Sequence, residues 1–186
     1  MGMALSLFAV EEAILTDALA EPAESIELPK RRLFGLLPGK PASRNDSKVD
    51  EYIDDLFDYD FDVPNPDVDD LDKAWDVIRV ALEMMHQEGR VPKAAAEAVL
   101  GTRNAEGGPM GGFGWVPANE AAAIAASLDA VSMEAFDAAI AKVPDDTYLA
   151  GVRDEGHDYF TDNFERLRKF YHHAASSGKA VMLVIC

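Results

Sequence analysis

His157 stands close before Asp162, with Asp158 and Glu165 on neighbouring turns. A histidine beside carboxylates can work as an acid–base pair or begin a metal site. Acids in the opening turns of a helix are also expected from the helix dipole alone, so the grouping does not define a site by itself. His172 and His173 are adjacent near a helix end; they point about 100° apart and cannot share one tetrahedral ion by themselves. There, as for His86 at the end of an earlier helix, a cation is favoured by the negative helix terminus. Asp58-Tyr59-Asp60-Phe61-Asp62 alternates carboxylates with aromatics and invites a calcium-loop reading. The loop pattern fails, because Val63 falls where glycine is needed and Asp69 where a bidentate glutamate is needed. Gly107, Gly108, Gly111, Gly112 and Gly114 form a glycine-rich stretch, yet no lysine follows it and it does not open directly into a helix, as a phosphate cradle would. There is no Gly-x-Ser-x-Gly elbow, no reactive Cys–His arrangement and no paired Cys or His motif. The lone Cys186 is the last residue, where a thiolate is poorly held beside a base. No residue set argues for catalysis, and no metal or cofactor is expected.

Charge says more than any motif. Thirty-four acidic residues against 17 basic ones give a formal charge of −17. Such a surface disfavours nucleic acid and anionic membranes and attracts basic partners or cations. Within Asp50 to Asp62 the acids are interleaved with Tyr52, Phe57, Tyr59 and Phe61. Aromatics supply contact area and acids steer a basic partner, so Asp54, Asp55, Asp58, Tyr59, Asp60 and Asp62 are the expected partner-binding residues. The basic residues gather between Lys30 and Lys48, where pairing with the molecule's own acidic segment is the expectation. No apolar run approaches the roughly 18 residues of a membrane span. The opening Met1 to Val10 lacks the basic leader of a signal peptide, and the absence of paired cysteines fits a reducing, cytoplasmic setting.

The elements that must position these groups follow from apolar spacing. Ala4 to Val10 reads as a buried strand and Glu11 to Ala20 as a short helix ended by Pro22. Residues 21–66 form an insertion-like segment, basic and Pro-rich first, acidic after. Leu71, Trp75, Ile78, Leu82 and Met85 lie on one face of a helix that the spacing predicts from Val68 to Met85, with Asp67, Asp69, Asp70 and Asp72 in its first turn. Pro92 to Leu100 predicts a further helical turn or two, and residues 101–114 a flexible loop. Gly112 to Val116 predicts a short strand, followed by helices over Ala118–Leu128 and Ser132–Ala141, with Ser132 as N-cap. The longest helix spans about Asp154 to Ser176, with Phe160, Phe164, Leu167, Tyr171 and Ala174 on its stripe. Gly178 caps it, and a buried strand follows to the end. The fold class is therefore α+β: one compact domain over residues 1–186, with a small mixed β-sheet packed against several helices, including a long C-terminal one.

Asp70-Leu-Asp-Lys-Ala-Trp75 followed by Ile78 resembles a helix of the YfbM-like family, small bacterial proteins described as a domain of unknown function. The opening Met1-Gly-Met-Ala-Leu-Ser-Leu7 is similar to that family's first strand. Asn163-Phe-Glu-Arg-Leu-Arg-Lys-Phe-Tyr171, Ala174-Ala175 and Gly178-Lys-Ala-Val181 are similar to its closing helix and strand. Gly112-Phe113-Gly114-Trp115 departs from the family's Gly-Tyr-Gly-Pro segment. The resemblance covers nearly the whole chain and implies an α+β fold in a bacterial cytosol; it implies no catalytic residues. The expected function is an acidic protein-binding module of antitoxin or immunity type that neutralises a basic partner such as a toxin. The alternative is an enzyme or small-ligand binder using a cleft near Trp75, Phe113, Trp115 and the glycine-rich stretch.

Overall fold

The two most apolar runs of the chain, β1 (Leu5–Val10) and β5 (Ala180–Ile185), lie side by side near the middle of one sheet in a computed structural model. The structure describes residues 3–20, 48–57, 65–105, 113–148, 150 and 157–186, without the side chains of 48–52 and 157. β1 and β5 pair antiparallel along their full lengths, from Leu5 opposite Ile185 to Val10 opposite Ala180. Each is buried on both faces, so neither shows the apolar–polar alternation of a strand with one wet side. β2 (Val68–Asp70) adds to the outer edge of β1, and β4 (Phe113–Val116) to the other side of β5. β3 (Arg103–Ala105) completes the order β2-β1-β5-β4-β3. The sheet is antiparallel throughout, whereas a mixed sheet was expected.

Period-two geometry sorts the strand side chains into two cores. Leu5, Leu7, Ala9, Val116, Val181 and Leu183 face the larger one. It is closed by α3 (Trp75–Gln87), α4 (Lys93–Ala96), α5 (Ala118–Asp129), α6 (Met133–Ile140) and α7 (His157–Ser177). Phe136 of α6 and Phe164 of α7 stack there with ring centroids 4.0 Å apart. Phe8, Val10, Phe113, Met182 and Val184 face the smaller core. It is covered by α1 (Glu12–Ala20) through Leu15 and Ala18, and by α2 (Lys48–Phe57) through Ile53. α2 lies inside the stretch read as insertion-like, and the sequence reading did not include it. Its Ile53 is buried and its Phe57 meets Phe8 edge-on at 5.2 Å.

The helix expected from Val68 starts later. Val68 to Asp70 is strand, Asp72–Ala74 is a single 3-10 turn, and α3 begins at Trp75. The physical reason is the open edge of β1: Ala9 N–H donates to the Asp67 carbonyl at 2.7 Å, and Leu71 N–H donates to that of Leu5 at 2.9 Å. Backbone pairing with a buried strand overrides the local helical pattern. Asp69 and Asp70 therefore belong to a strand and Asp67 precedes it, while Asp72 alone opens a helical turn, as expected. The apolar face itself stands, with Leu71, Trp75, Ile78, Leu82 and Met85 all buried. The expected α7 stripe is buried as well. Ser132 caps α6, its hydroxyl accepting from Ala135 N–H at 3.2 Å. Gly178 ends α7 at φ 67°, which lets Lys179 N–H reach the Ala174 carbonyl at 3.0 Å. No helix among the described residues is long and apolar enough to cross a membrane.

Candidate functional site

Asp54 and Asp55 are exposed on α2, with buried Ile53 beside them anchoring that helix to the sheet. Asp58, Tyr59, Asp60 and Asp62 lie outside the described residues, as do the basic stretch from Lys30 to Arg44 and Gly107, Gly108, Gly111 and Gly112. The side chain of His157 is likewise outside them, so the His157–Asp162 grouping has no described geometry.

Trp75 and Trp115 do not share a cleft. Trp75 belongs to the larger core, its indole N–H donating to the Met3 carbonyl at 3.2 Å. Phe113 and Trp115, two positions apart on β4, both face the smaller core. The sheet stands between the two tryptophans because residues at even spacing on a strand share one face. A groove of about 200 Å³ does lie near the described end of the glycine-rich stretch. Asn104, Gly114, Leu183 and Ile185 line it with Leu100, and Phe113 borders it. Registers Asn104 opposite Gly114 and Gly114 opposite Leu183 put these residues on one face of three adjoining strands. Neither tryptophan lines this groove.

The most organised polar feature was not anticipated. Tyr159, Arg166 and His173 recur every seventh residue on α7, which keeps them near one line of the helix surface. Each meets an aspartate from residues 67–72. Tyr159 O–H donates to Asp72 Oδ2 at 2.8 Å, Arg166 pairs with Asp69, and His173 Nε2 lies 2.7 Å from Asp67 Oδ1. The second Asp67 oxygen accepts from Lys179 Nζ at 2.6 Å. Burial alone would raise the Asp67 carboxyl, but the hydrogen bonds and charges of Lys179 and His173 outweigh it and hold it below its ordinary value. Asp70 goes the other way: desolvation pushes it up, helped by the charges of Asp72 and Asp69. Tyr159 is pushed up to about 12 by burial and by its bond to Asp72. Asp72 itself sits at φ 45°, an uncommon conformation for a residue with a side chain. The signal for this seam was present in the polar heptad of α7, but its aspartate partners could be assigned only once β2 was placed.

Elsewhere several cations also meet carboxylates of the same chain. Arg79 binds Asp76 at 2.6 Å and Glu83 at 2.9 Å, and Arg168 binds Glu165 at 2.6 Å. Arg90, Lys93, Arg103 and Lys142 are each paired with a glutamate. His172 lies 2.9 Å from Asp129, and His86 Nδ1 lies 3.1 Å from the Val91 carbonyl. Among the described residues no group of three or more His, Cys, Asp or Glu could hold a metal ion.

The crystal structure of YfbM from Escherichia coli, a protein of unknown function, is similar to this chain at 15% identity with a TM-score of 0.58. The alignment covers 98% of this chain and 99% of that one, so the likeness is one of the whole fold. No curated protein matches. A family model described as Domain of unknown function (DUF1877) matches residues 1–184. With the opening strand, the Trp75 helix and the closing helix and strand all inside that match, this chain belongs to the DUF1877 family of YfbM-like proteins.

Proposed function

We propose that this chain is an acidic protein-binding module of the bacterial cytoplasm, of antitoxin or immunity type, that covers a basic surface on a partner protein. One observation carries the reading. The described arginines and Lys93, Lys142 and Lys179 already meet carboxylates within the fold, while Asp54 and Asp55 stand exposed on a helix seated in the core. The acidic excess of a chain with charge −17 is thus left for an external cation. Asp58, Tyr59, Asp60 and Asp62 continue the same acidic run in sequence. A helix fixed by Ile53 presents its carboxylates without ordering them at the moment of binding, which favours steering and a slow release.

The test has two stages. The tagged protein is used to capture partners from its source cells at low and high salt, and Asp54→Asn/Asp55→Asn is compared with it. A basic protein held at low salt, released at high salt and bound about tenfold more weakly by the double variant supports the reading. Co-expression then asks whether that protein is toxic alone and harmless beside this chain. Capture that is indifferent to salt and to both substitutions overturns it. The second reading, a small apolar ligand or substrate, is favoured by the groove beside Gly114. It predicts a ligand whose binding persists in high salt.

A further inference from the structure

The sheet has one edge fastened in a different way from the rest. Asp67 to Asp70 runs along the outer side of β1, yet β2 is three residues long, two of them aspartates, a poor composition for strand packing. Val68, Asp69 and Asp70 are only partly buried, whereas every residue of β1 is buried. What faces this segment is polar and charged: His173 and Lys179 on Asp67, and Arg166 on Asp69. Asp72 with Tyr159 continues the series just past the strand. Val68 packs part-buried against the smaller core, and Leu71, fully buried in the larger one, fixes the segment's end.

We propose that residues 67–70 are an electrostatically fastened strap over the edge of β1, hinged at Leu71 and released when Asp67 and Asp69 lose their contacts to His173 and Arg166 of α7 and to Lys179 just before β5. Screening by salt weakens such part-exposed pairs. The apolar β1–β5 pairing has no such dependence. Screening also relieves the self-repulsion of a chain with charge −17, which stabilises the fold as a whole. Salt therefore acts on the strap and on the body in opposite directions.

The antiparallel ladder supplies a readout within one strand. On β1, Ala9 N–H donates towards the strap, to the Asp67 carbonyl at 2.7 Å. Ala4 instead bonds reciprocally with Cys186 at 2.9 and 3.0 Å, so the even positions, Phe8 among them, face β5. Residue-resolved amide exchange by NMR, on the full chain at fixed pH, is compared at about 20 mM and about 1 M sodium chloride. Ala9 is expected to exchange about tenfold faster at high salt, while Phe8 stays constant or slows. Asp67→Asn keeps the backbone acceptor but weakens the contacts to Lys179 and His173, so its Ala9 amide should exchange fast already at low salt and respond less to added salt. Phe8 protection in the same sample shows that the variant is folded. Ala9 and Phe8 moving together, an Ala9 amide indifferent to salt, or wild-type protection of Ala9 in Asp67→Asn would each overturn the proposal.

Discussion

Gly114 on β4 lies so close to the Leu100 carbonyl that a Cβ at position 114 would fall 1.9 Å from its oxygen. The contact is backbone against backbone, and no side-chain rotation can relieve it. It joins the turn after α4 to the sheet and sets the floor of the groove lined by Leu183 and Ile185.

Gly114→Ala should accordingly cost about 3 kcal/mol or more, near the upper end for a single substitution. Gly178→Ala makes a useful contrast. It meets nothing within 4 Å and carries only the strain of φ 67°, for an expected loss of about 1 kcal/mol. Urea denaturation of the two variants side by side checks the ordering. Equal losses would mean that the chain can move Gly114 away from Leu100 at little cost.

Tyr171 is fully buried on α7, and its hydroxyl donates to the Ala98 carbonyl at 2.8 Å, holding the segment after α4 against the long helix. Tyr171→Phe leaves that carbonyl without the donor and should cost about 1–2 kcal/mol with little change in shape. Burial pushes the phenol well above its ordinary range, so Tyr171 should stay protonated until alkaline unfolding. Ultraviolet titration of the wild type against Tyr171→Phe would expose an earlier ionisation.

Acid should unfasten the Asp67 cluster in a defined direction. A carboxyl held below its ordinary value of 3.8 contributes stability above that value and loses it as pH falls through the folded pKa. Asp67→Asn should therefore cost about 1 kcal/mol at pH 7, with the deficit shrinking below about pH 4. Asp70 has the opposite sign. Its carboxyl is raised, so the folded state loses that advantage as pH rises through the folded value. Asp70→Asn should raise the melting temperature at neutral pH and leave it unchanged in acid. Thermal unfolding across the pH range tests both, and a Tm difference independent of pH would contradict the assignment.

Much of the fold was legible because burial leaves a period in the residues. The step of four and three through Trp75, Ile78, Leu82 and Met85, and again through Phe160, Phe164, Leu167 and Tyr171, marks α3 and α7 before any contact is known. The unbroken apolar runs of β1 and β5 mark strands covered on both faces. Ser132 and Gly178 act as caps through their own backbone and side-chain chemistry, so sequence is enough to find them. The family resemblance, carried by three separated blocks, follows from the same residues.

What depends on partners far along the chain was not legible. Val68 to Asp70 is strand because β1 offers an unpaired edge, and that edge exists only once β1 and β5 have met. α2 and β3 escaped for a related reason: a short element in a polar stretch gains its stability from the surface that receives it, here Phe8 for α2 and β4 for β3. Trp75 and Trp115 look like neighbours around a glycine-rich stretch until strand alternation sends them to opposite sides of the sheet. The sequence by itself determined the α+β class, the stripes of the long helices and the acidic excess, because each is a property of composition or local spacing. Only the tertiary structure decided the antiparallel order, the side of the sheet each tryptophan takes, and the match of Asp67, Asp69 and Asp72 to His173, Arg166 and Tyr159, because those pairings join residues about a hundred positions apart.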